Sequence, residues 1–197
     1  MGCNDSGSFI TVGQVTDLIN LLEIEDAATR QYIAHYEGQK LQSLCLGLSA
    51  RQRQLTKRTP DLVGLCKVLH RWLRQDKRWD DFTFSSITIN KHHAAKLHRD
   101  KGNMGPSVIR TLGNFEGGEL RWWPGDDRKL DISMVPDENL ERIDTNDFAI
   151  FDGNCAHGVT NFTGTRFSVI FFTTWTHDDT QPYESLLELW DLDTTNI

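Results

Sequence analysis

The sequence predicts an α+β domain in which helices come first and a sheet-rich half follows. Three observations carry that expectation. Apolar residues recur at helical spacing before residue 80, short alternating runs begin at residue 82, and clusters of Gly, Pro, Asn and Asp punctuate those runs. Helices followed by strands is the α+β order, and several short strands at this spacing indicate a sandwich or barrel. With 197 residues the chain is long enough for one domain with a sizeable core.

Residues 11–36 read as the first helix. Val12, Val15, Leu18, Ile19 and Leu22 recur at steps of three and four, with acidic residues on the other face. Thr59-Pro60 looks like an N-cap followed by proline at the first helical position. Leu62, Leu65, Cys66, Leu69, Trp72 and Leu73 then give an apolar stripe to about Arg78. Phe82, Phe84, Ile87 and Ile89 alternate up to Asn90-Lys91. Further strand candidates are Ser107–Leu112, Glu119–Trp123, Lys129–Ser133, Asp147–Phe151, His157–Asn161 and Arg166–Trp175. The breaks fall at Gly102-Asn103, Gly113-Asn114, Gly117-Gly118, Pro124-Gly125-Asp126-Asp127, Gly153-Asn154 and Gly164, and a closing helix is expected near Tyr183–Trp190. The whole chain, 1–197, therefore reads as one domain. It has a mainly helical support region at 1–80, a strand core at 82–176 and a C-terminal extension at 177–197.

Composition excludes several classes. No apolar run is long enough to span a bilayer as a helix, and no charged and apolar leader opens the chain. Cys3, Cys45, Cys66 and Cys155 are scattered without CxxC spacing, which argues against a zinc module and a disulfide framework and suits a reducing compartment. The formal net charge is −7, yet it is unevenly spread. Residues 51–78 hold Arg51, Arg53, Lys57, Arg58, Lys67, Arg71, Arg74, Lys77 and Arg78 against Asp61 and Asp76. Such a segment is either a polyanion contact or a solvated helix face paired with acidic neighbours, and charge alone favours the second. Met1-Gly2-Cys3-Asn4-Asp5-Ser6 fits an N-myristoylation pattern with an adjacent cysteine. Acylation at Gly2 and Cys3 would add weak membrane association.

The chemistry concentrates in His98-Arg99-Asp100, in His157, and in Arg166-Phe167-Ser168 beyond it. Two imidazoles and one carboxylate occupy one face of an Fe(II) coordination sphere and leave the other face open for a cosubstrate and dioxygen. Residues i and i+2 of an extended segment point the same way, so His98 and Asp100 share a side, as do Arg166 and Ser168. The latter pair offers a guanidinium fork and a hydroxyl to a carboxylate. His92 and His93 lie near this site without a ligand pattern of their own. Cys155, two residues before His157, reads as packing. Trp122 and Trp123 point to opposite strand faces, so one of them belongs to the core.

The order HxD, Gly117-Gly118-Glu119-Leu120, Asp147-Phe148-Ala149-Ile150-Phe151-Asp152, His157-Gly158-Val159 and Gly164-Thr165-Arg166-Phe167-Ser168 resembles the Fe(II)/2-oxoglutarate oxygenases over about residues 82–176. The resemblance implies a double-stranded β-helix core, jelly-roll or cupin-like, flanked by N-terminal helices. It implies Fe(II) held by His98, Asp100 and His157, and 2-oxoglutarate gripped by Arg166 with help from Ser168 and Asn90. It also implies O2 as co-reactant, with ascorbate as a candidate reductant. A retained carboxylate at Asp100 points to hydroxylation rather than halogenation.

Within that superfamily, His98-Arg99-Asp100-Lys101-Gly102-Asn103-Met104, then Ser107-Val108-Ile109-Arg110-Thr111-Leu112, resembles the TET/JBP nucleobase-oxidising enzymes. Thr165-Arg166-Phe167-Ser168-Val169-Ile170-Phe171-Phe172 matches their arginine-bearing strand. By this resemblance the substrate is the methyl group of 5-methylcytosine or thymine in DNA. Asn103 hydrogen-bonds the extruded base and Phe172 stands where a tyrosine stacks on it. Thr174 departs from the histidine of the cytosine-oxidising members, which leaves the base open. DNA is then the expected partner, through segment 51–78, and the expected location is intracellular: the nucleus for a DNA substrate, the cytoplasm otherwise. Two alternatives stand beside this reading, a 2-oxoglutarate-dependent hydroxylase of a protein side chain or small metabolite, and a non-catalytic binding module.

Overall fold

A computed structural model of the chain describes residues 9–26, 42–49 and 54–174. Helix α1 (Val12–Asn20) starts at a capping box, in which the Thr11 side chain accepts from the Gln14 backbone and the Gln14 side chain accepts from that of Thr11. Val15 and Ile19 are buried, while Val12 and Leu18 of the expected stripe are exposed. The helix ends well before the expected residue 36. Glu23-Ile24-Glu25-Asp26 cannot continue an apolar face, and the Glu25 carbonyl instead accepts from the Ser43 amide of strand β1 (Gln42–Gly47). Of the expected helix, residues 27–36 lie outside the described residues, as does the closing helix at Tyr183–Trp190.

Thr59 holds the expected N-cap position before Pro60, but its side chain does not cap the turn. It has helical dihedrals, and its Oγ accepts from the Gly47 amide at 2.8 Å. Pro60 opens a single 3₁₀ turn that leads into α2 (Val63–Arg74). Cys66, Leu69, Trp72 and Leu73 of the expected stripe are buried, and Leu62 and Leu65 pack at its margin. Arg74 closes the helix by donating to the carbonyls of Trp79 and Phe82.

Among the described residues eight strands form two sheets. The remaining strands are β2 (Ser86–Lys91), β3 (Asn103–Gly117), β4 (Leu120–Trp122), β5 (Glu141–Ile143), β6 (Ala149–Phe151), β7 (His157–Val159) and β8 (Phe162–Thr174). The larger sheet runs β1-β2-β8-β3-β6 and the smaller β5-β4-β7, with every strand pairing among the described residues antiparallel. Bonds between His98 and His157, and from the Val159 amide to the Ala95 carbonyl at 2.8 Å, extend the smaller sheet by a further segment. Gly113-Asn114 and Gly164, expected as breaks, lie inside the long β3–β8 ladder, where Gly113 pairs with Arg166 and Gly164 with Phe115. The expected strand at Lys129–Ser133 is absent. Asp131 there caps a 3₁₀ turn by accepting from the Ser133 amide and hydroxyl.

Alternation sorts the larger sheet into two faces. Ile87 and Ile89 of β2 and Phe167, Val169 and Phe171 of β8 join Val15, Ile19, Leu69, Trp72 and Leu73 in one apolar cluster under the helices. The opposite residues turn toward the smaller sheet. There Ile109, Leu120 and Phe151 make a second, smaller cluster, with Trp122 and Ile170 against it. The site lies on this inner side.

Candidate active site

A cavity of about 360 Å³ opens between the sheets, and His98, Asp100, His157, Arg166, Ser168, Asn90, Asn103, Phe172 and Thr174 all line it. His98 and Asp100 sit on the segment that leads into β3, and His157 begins β7. The ligand atoms of these three residues lie within 4.8 Å of one another. Nε2 of His98 is 3.5 Å from one oxygen of Asp100, and Nε2 of His157 is 3.9 Å from the other. Each Nδ1 lies against a backbone carbonyl, His98 on Lys96 at 2.8 Å and His157 on Cys155 at 3.0 Å. Those contacts let Nδ1 carry a proton, which would free Nε2, the atom turned toward Asp100, for a metal.

Burial pushes the His157 imidazole below its usual value, and the His98 ring beside it adds to the effect. Burial works to raise the Asp100 carboxyl, but the bond from His98, the two imidazoles and Asn103 outweigh it, so its pKa falls. The lowered His157 and Asp100 values favour a neutral imidazole beside an ionised carboxylate, the pairing a divalent cation requires. Gly153 keeps this corner open. A Cβ there would stand 2.7 Å from the Asp100 carboxylate.

The second half of the cavity is cationic. Arg166 is 1% exposed, and neither its Nε nor its Nη2 has a hydrogen-bond partner. Its guanidinium carbon stands 5.5 Å from the Phe115 ring centroid and 5.6 Å from that of Phe162. Burial lowers its pKa to about 10, which still leaves it charged at neutral pH. Gly118 makes room for it, since a Cβ there would meet Nε at 2.7 Å and Cδ at 2.8 Å. A buried fork without an acceptor costs free energy unless a ligand supplies one. Ser168, two residues on, faces the same way. Asn90 pairs with it across the ladder, at 3.5 Å from amide to hydroxyl, and accepts from Ser43 at 2.7 Å.

The remaining expected residues fall close by. Asn103 donates to Asp100 at 3.0 Å, a bond that orients the carboxylate. Phe172 lines the cavity on the strand face of Arg166 and Ser168, and Thr174 pairs with Asn103 across the ladder. His93 reaches the cavity and His92 does not line it. Cys155 is buried beside Asp126 and Asp152, and burial raises its thiol pKa, which agrees with a packing role. Trp122 packs on the inner cluster and donates to the Asp152 carbonyl at 3.1 Å. None of residues 57–78 lines the cavity, and Lys101 is the lysine beside it.

Sequence reasoning missed Asp126. Its carboxylate is 0% exposed and accepts from both Nε and Nη2 of Arg99, at 2.6 Å and 2.8 Å. Within Pro124-Gly125-Asp126-Asp127 it looks like any turn aspartate.

No protein-family model and no curated protein sequence matches the chain. Among solved structures it matches a 2OG-Fe(II) oxygenase family oxidoreductase from Burkholderia pseudomallei at a TM-score of 0.51 and 15% identity, over 82% of this chain and 77% of that one. NgTET1 in complex with 5mC DNA matches at 0.44 and 17% identity, over 74% of this chain and 68% of that one. A Pseudomonas putida prolyl-4-hydroxylase matches at 0.45 and 13% identity, over 83% and 84%. The two facing antiparallel sheets, with helices packed on the larger, are the double-stranded β-helix fold of the 2-oxoglutarate–Fe(II) oxygenases.

Proposed function

We propose that the chain is an Fe(II)- and 2-oxoglutarate-dependent oxygenase that hydroxylates the methyl group of a pyrimidine base, 5-methylcytosine or thymine, in DNA. One observation carries the oxygenase reading: a three-residue His/Asp/His set and a buried arginine with two unpaired N–H atoms share a single cavity. The charges also balance. One partly exposed carboxylate, one buried guanidinium, a divalent cation and a dicarboxylate dianion leave the pocket with no net charge, and an incomplete set would not.

In this reading Nε2 of His98, Nε2 of His157 and Asp100 hold the metal. Arg166 receives the far carboxylate of 2-oxoglutarate through its free N–H atoms, and Ser168 and Asn90 add hydrogen bonds beside it. Fe(II) held there would let O2 act as the oxidant, one oxygen atom entering succinate as 2-oxoglutarate loses CO2 and the other entering the C–H bond to give the alcohol. The Phe115 and Phe162 rings keep water from the guanidinium, and the walls formed by Ile109, Leu120 and Phe151 keep it from the reacting end.

The nucleobase reading is supported by the HRDKGNM segment and by Asn103 and Phe172 facing one cavity, with Thr174 in the place of the family's histidine. A flat ring against Phe172 with a polar edge toward Asn103 is the chemistry of an extruded base. Nuclear location goes with that substrate. A second reading has its own support. Helix α2, with its basic residues, covers the opposite face of the larger sheet, and Arg78 in the turn beyond it is paired with Asp76 and Asp147. Polyanion contact from that stretch would be remote from the chemistry, which suits a protein side chain or small metabolite as substrate.

Mass spectrometry of nucleosides decides between the two. After incubation with Fe(II), 2-oxoglutarate, ascorbate and methylated or unmodified DNA, the proposal expects a hydroxymethyl base from one of them. Succinate formation without any modified base would overturn the nucleobase reading and keep the oxygenase.

A further inference from the structure

We propose that Arg99 and Asp126 act as a positioning pair that sets the spacing of the two segments carrying the candidate metal ligands. This rests on the metal-site reading above. Arg99 stands between His98 and Asp100 in the chain, yet its side chain leaves the cavity and grips Asp126 with both arms of its fork. The same carboxylate accepts from the Ala156 amide at 2.6 Å, the residue before His157. It also accepts from the Arg128 amide at 2.9 Å, and Arg99 Nη1 donates to the Leu130 carbonyl at 3.0 Å.

One buried carboxylate therefore joins the peptide beside the distal histidine to the residue between the two proximal ligands. Four N–H bonds on a single carboxylate leave it no alternative arrangement. The backbone bonds between His98 and His157, at 2.9 Å in both directions, set the register of the two segments. The side-chain clamp adds a second point of attachment, which a pivot about that bridge lacks. The Asp126 carboxyl is lowered from its ordinary value, first by the Arg99 bond, and the Arg99 pKa is raised in return. Lysine would not substitute for Arg99, because a point charge cannot satisfy both oxygens at once.

The test is Co(II) titration of the purified full chain, followed by its visible absorption, for wild type, Arg99→Lys, Asp126→Asn and Asp127→Asn. Asp127 is the exposed neighbour, paired with Lys129 at 2.8 Å, and serves as the control. Partners behind metal ligands typically contribute roughly 10–100-fold in affinity. Arg99→Lys and Asp126→Asn are expected to weaken Co(II) binding by about that factor and to alter the absorption bands, while Asp127→Asn leaves both unchanged. Circular dichroism at the titration temperature confirms that each variant is folded, and Arg99→Lys carries the test if Asp126→Asn is not. Wild type that binds Co(II) alongside folded variants of equal affinity and spectrum would reduce the pair to fold support and overturn the inference. Wild type that binds no Co(II) would instead overturn the metal-site reading on which it rests.

Discussion

The two faces of the larger sheet follow opposite rules. Toward the helices, Ile87, Ile89, Val169 and Phe171 are each 0% exposed and belong to the apolar cluster. Toward the smaller sheet, the alternate residues Asn90, Arg166, Ser168 and Thr174 are nearly as buried, at 3%, 1%, 3% and 2%, yet all are polar. One strand, β8, contributes to both. The outer face stabilises the fold by removing apolar surface from water. The inner face carries desolvated polar groups, one of them a charged fork lacking acceptors, so it works against stability until a ligand binds.

Substitutions that separate the two faces would break or sharpen this contrast. The largest expected effect on function is Asp100→Ala, which removes the only carboxylate of the candidate metal set. Metal binding and succinate release are expected to fall below detection while the far-ultraviolet dichroism is retained. The largest effect on stability belongs to the other face. Phe171→Ala is expected to cost about 3–5 kcal/mol in chemical denaturation.

Gly118→Ala forces a methyl against the Arg166 side chain. It is expected to weaken 2-oxoglutarate binding in calorimetry about tenfold or more, because a displacement of about 1 Å in a positioned group is costly. Arg166→Met removes the uncompensated buried charge. It is expected to raise the melting temperature of the ligand-free protein by about 2–4 °C, roughly 1 kcal/mol, and to abolish stabilisation by 2-oxoglutarate. A fall in that melting temperature would show that the guanidinium is satisfied without ligand.

The smallest effect concerns acid. Asp126 titrates lower in the folded chain than an unfolded aspartate, whose pKa is about 3.9. The stability it contributes is present above that value and is lost as pH falls through the lowered one. Asp126→Asn is therefore expected to flatten the loss of stability below about pH 4 in denaturation series.

Much of this arrangement was legible in the residues. The 3.6-residue stripe of α2 and the alternation of β2, β3 and β8 report burial directly, because packing against a neighbour is what those periods encode. HxD, the distal His and Arg166-x-Ser168 were legible because metal and carboxylate chemistry restrict residue types at fixed spacing. Other parts carried no such signal. The three-residue β5, Glu141–Ile143, has two exposed polar positions and is placed by pairing with β4 and by Ile143 packing on the inner cluster. Lys129–Ser133 alternates like a strand, but Asp131 satisfies its own turn more cheaply than a partner strand would. Gly113 and Gly164 read as breaks, yet their positive φ values are absorbed within the ladder, where each lies close to a carbonyl of the facing strand. Asp126 was invisible because a buried clamp and a turn aspartate have the same letters.

The central claim is that the inner face binds Fe(II) and 2-oxoglutarate for turnover, and succinate release measures that most directly. Wild type incubated with 2-oxoglutarate, ascorbate and oxygen is expected to form succinate only when Fe(II) is added, and Asp100→Ala and Arg166→Met to form none. Folded wild type that forms no succinate with Fe(II) present, either alone or with methylated DNA, would contradict the account.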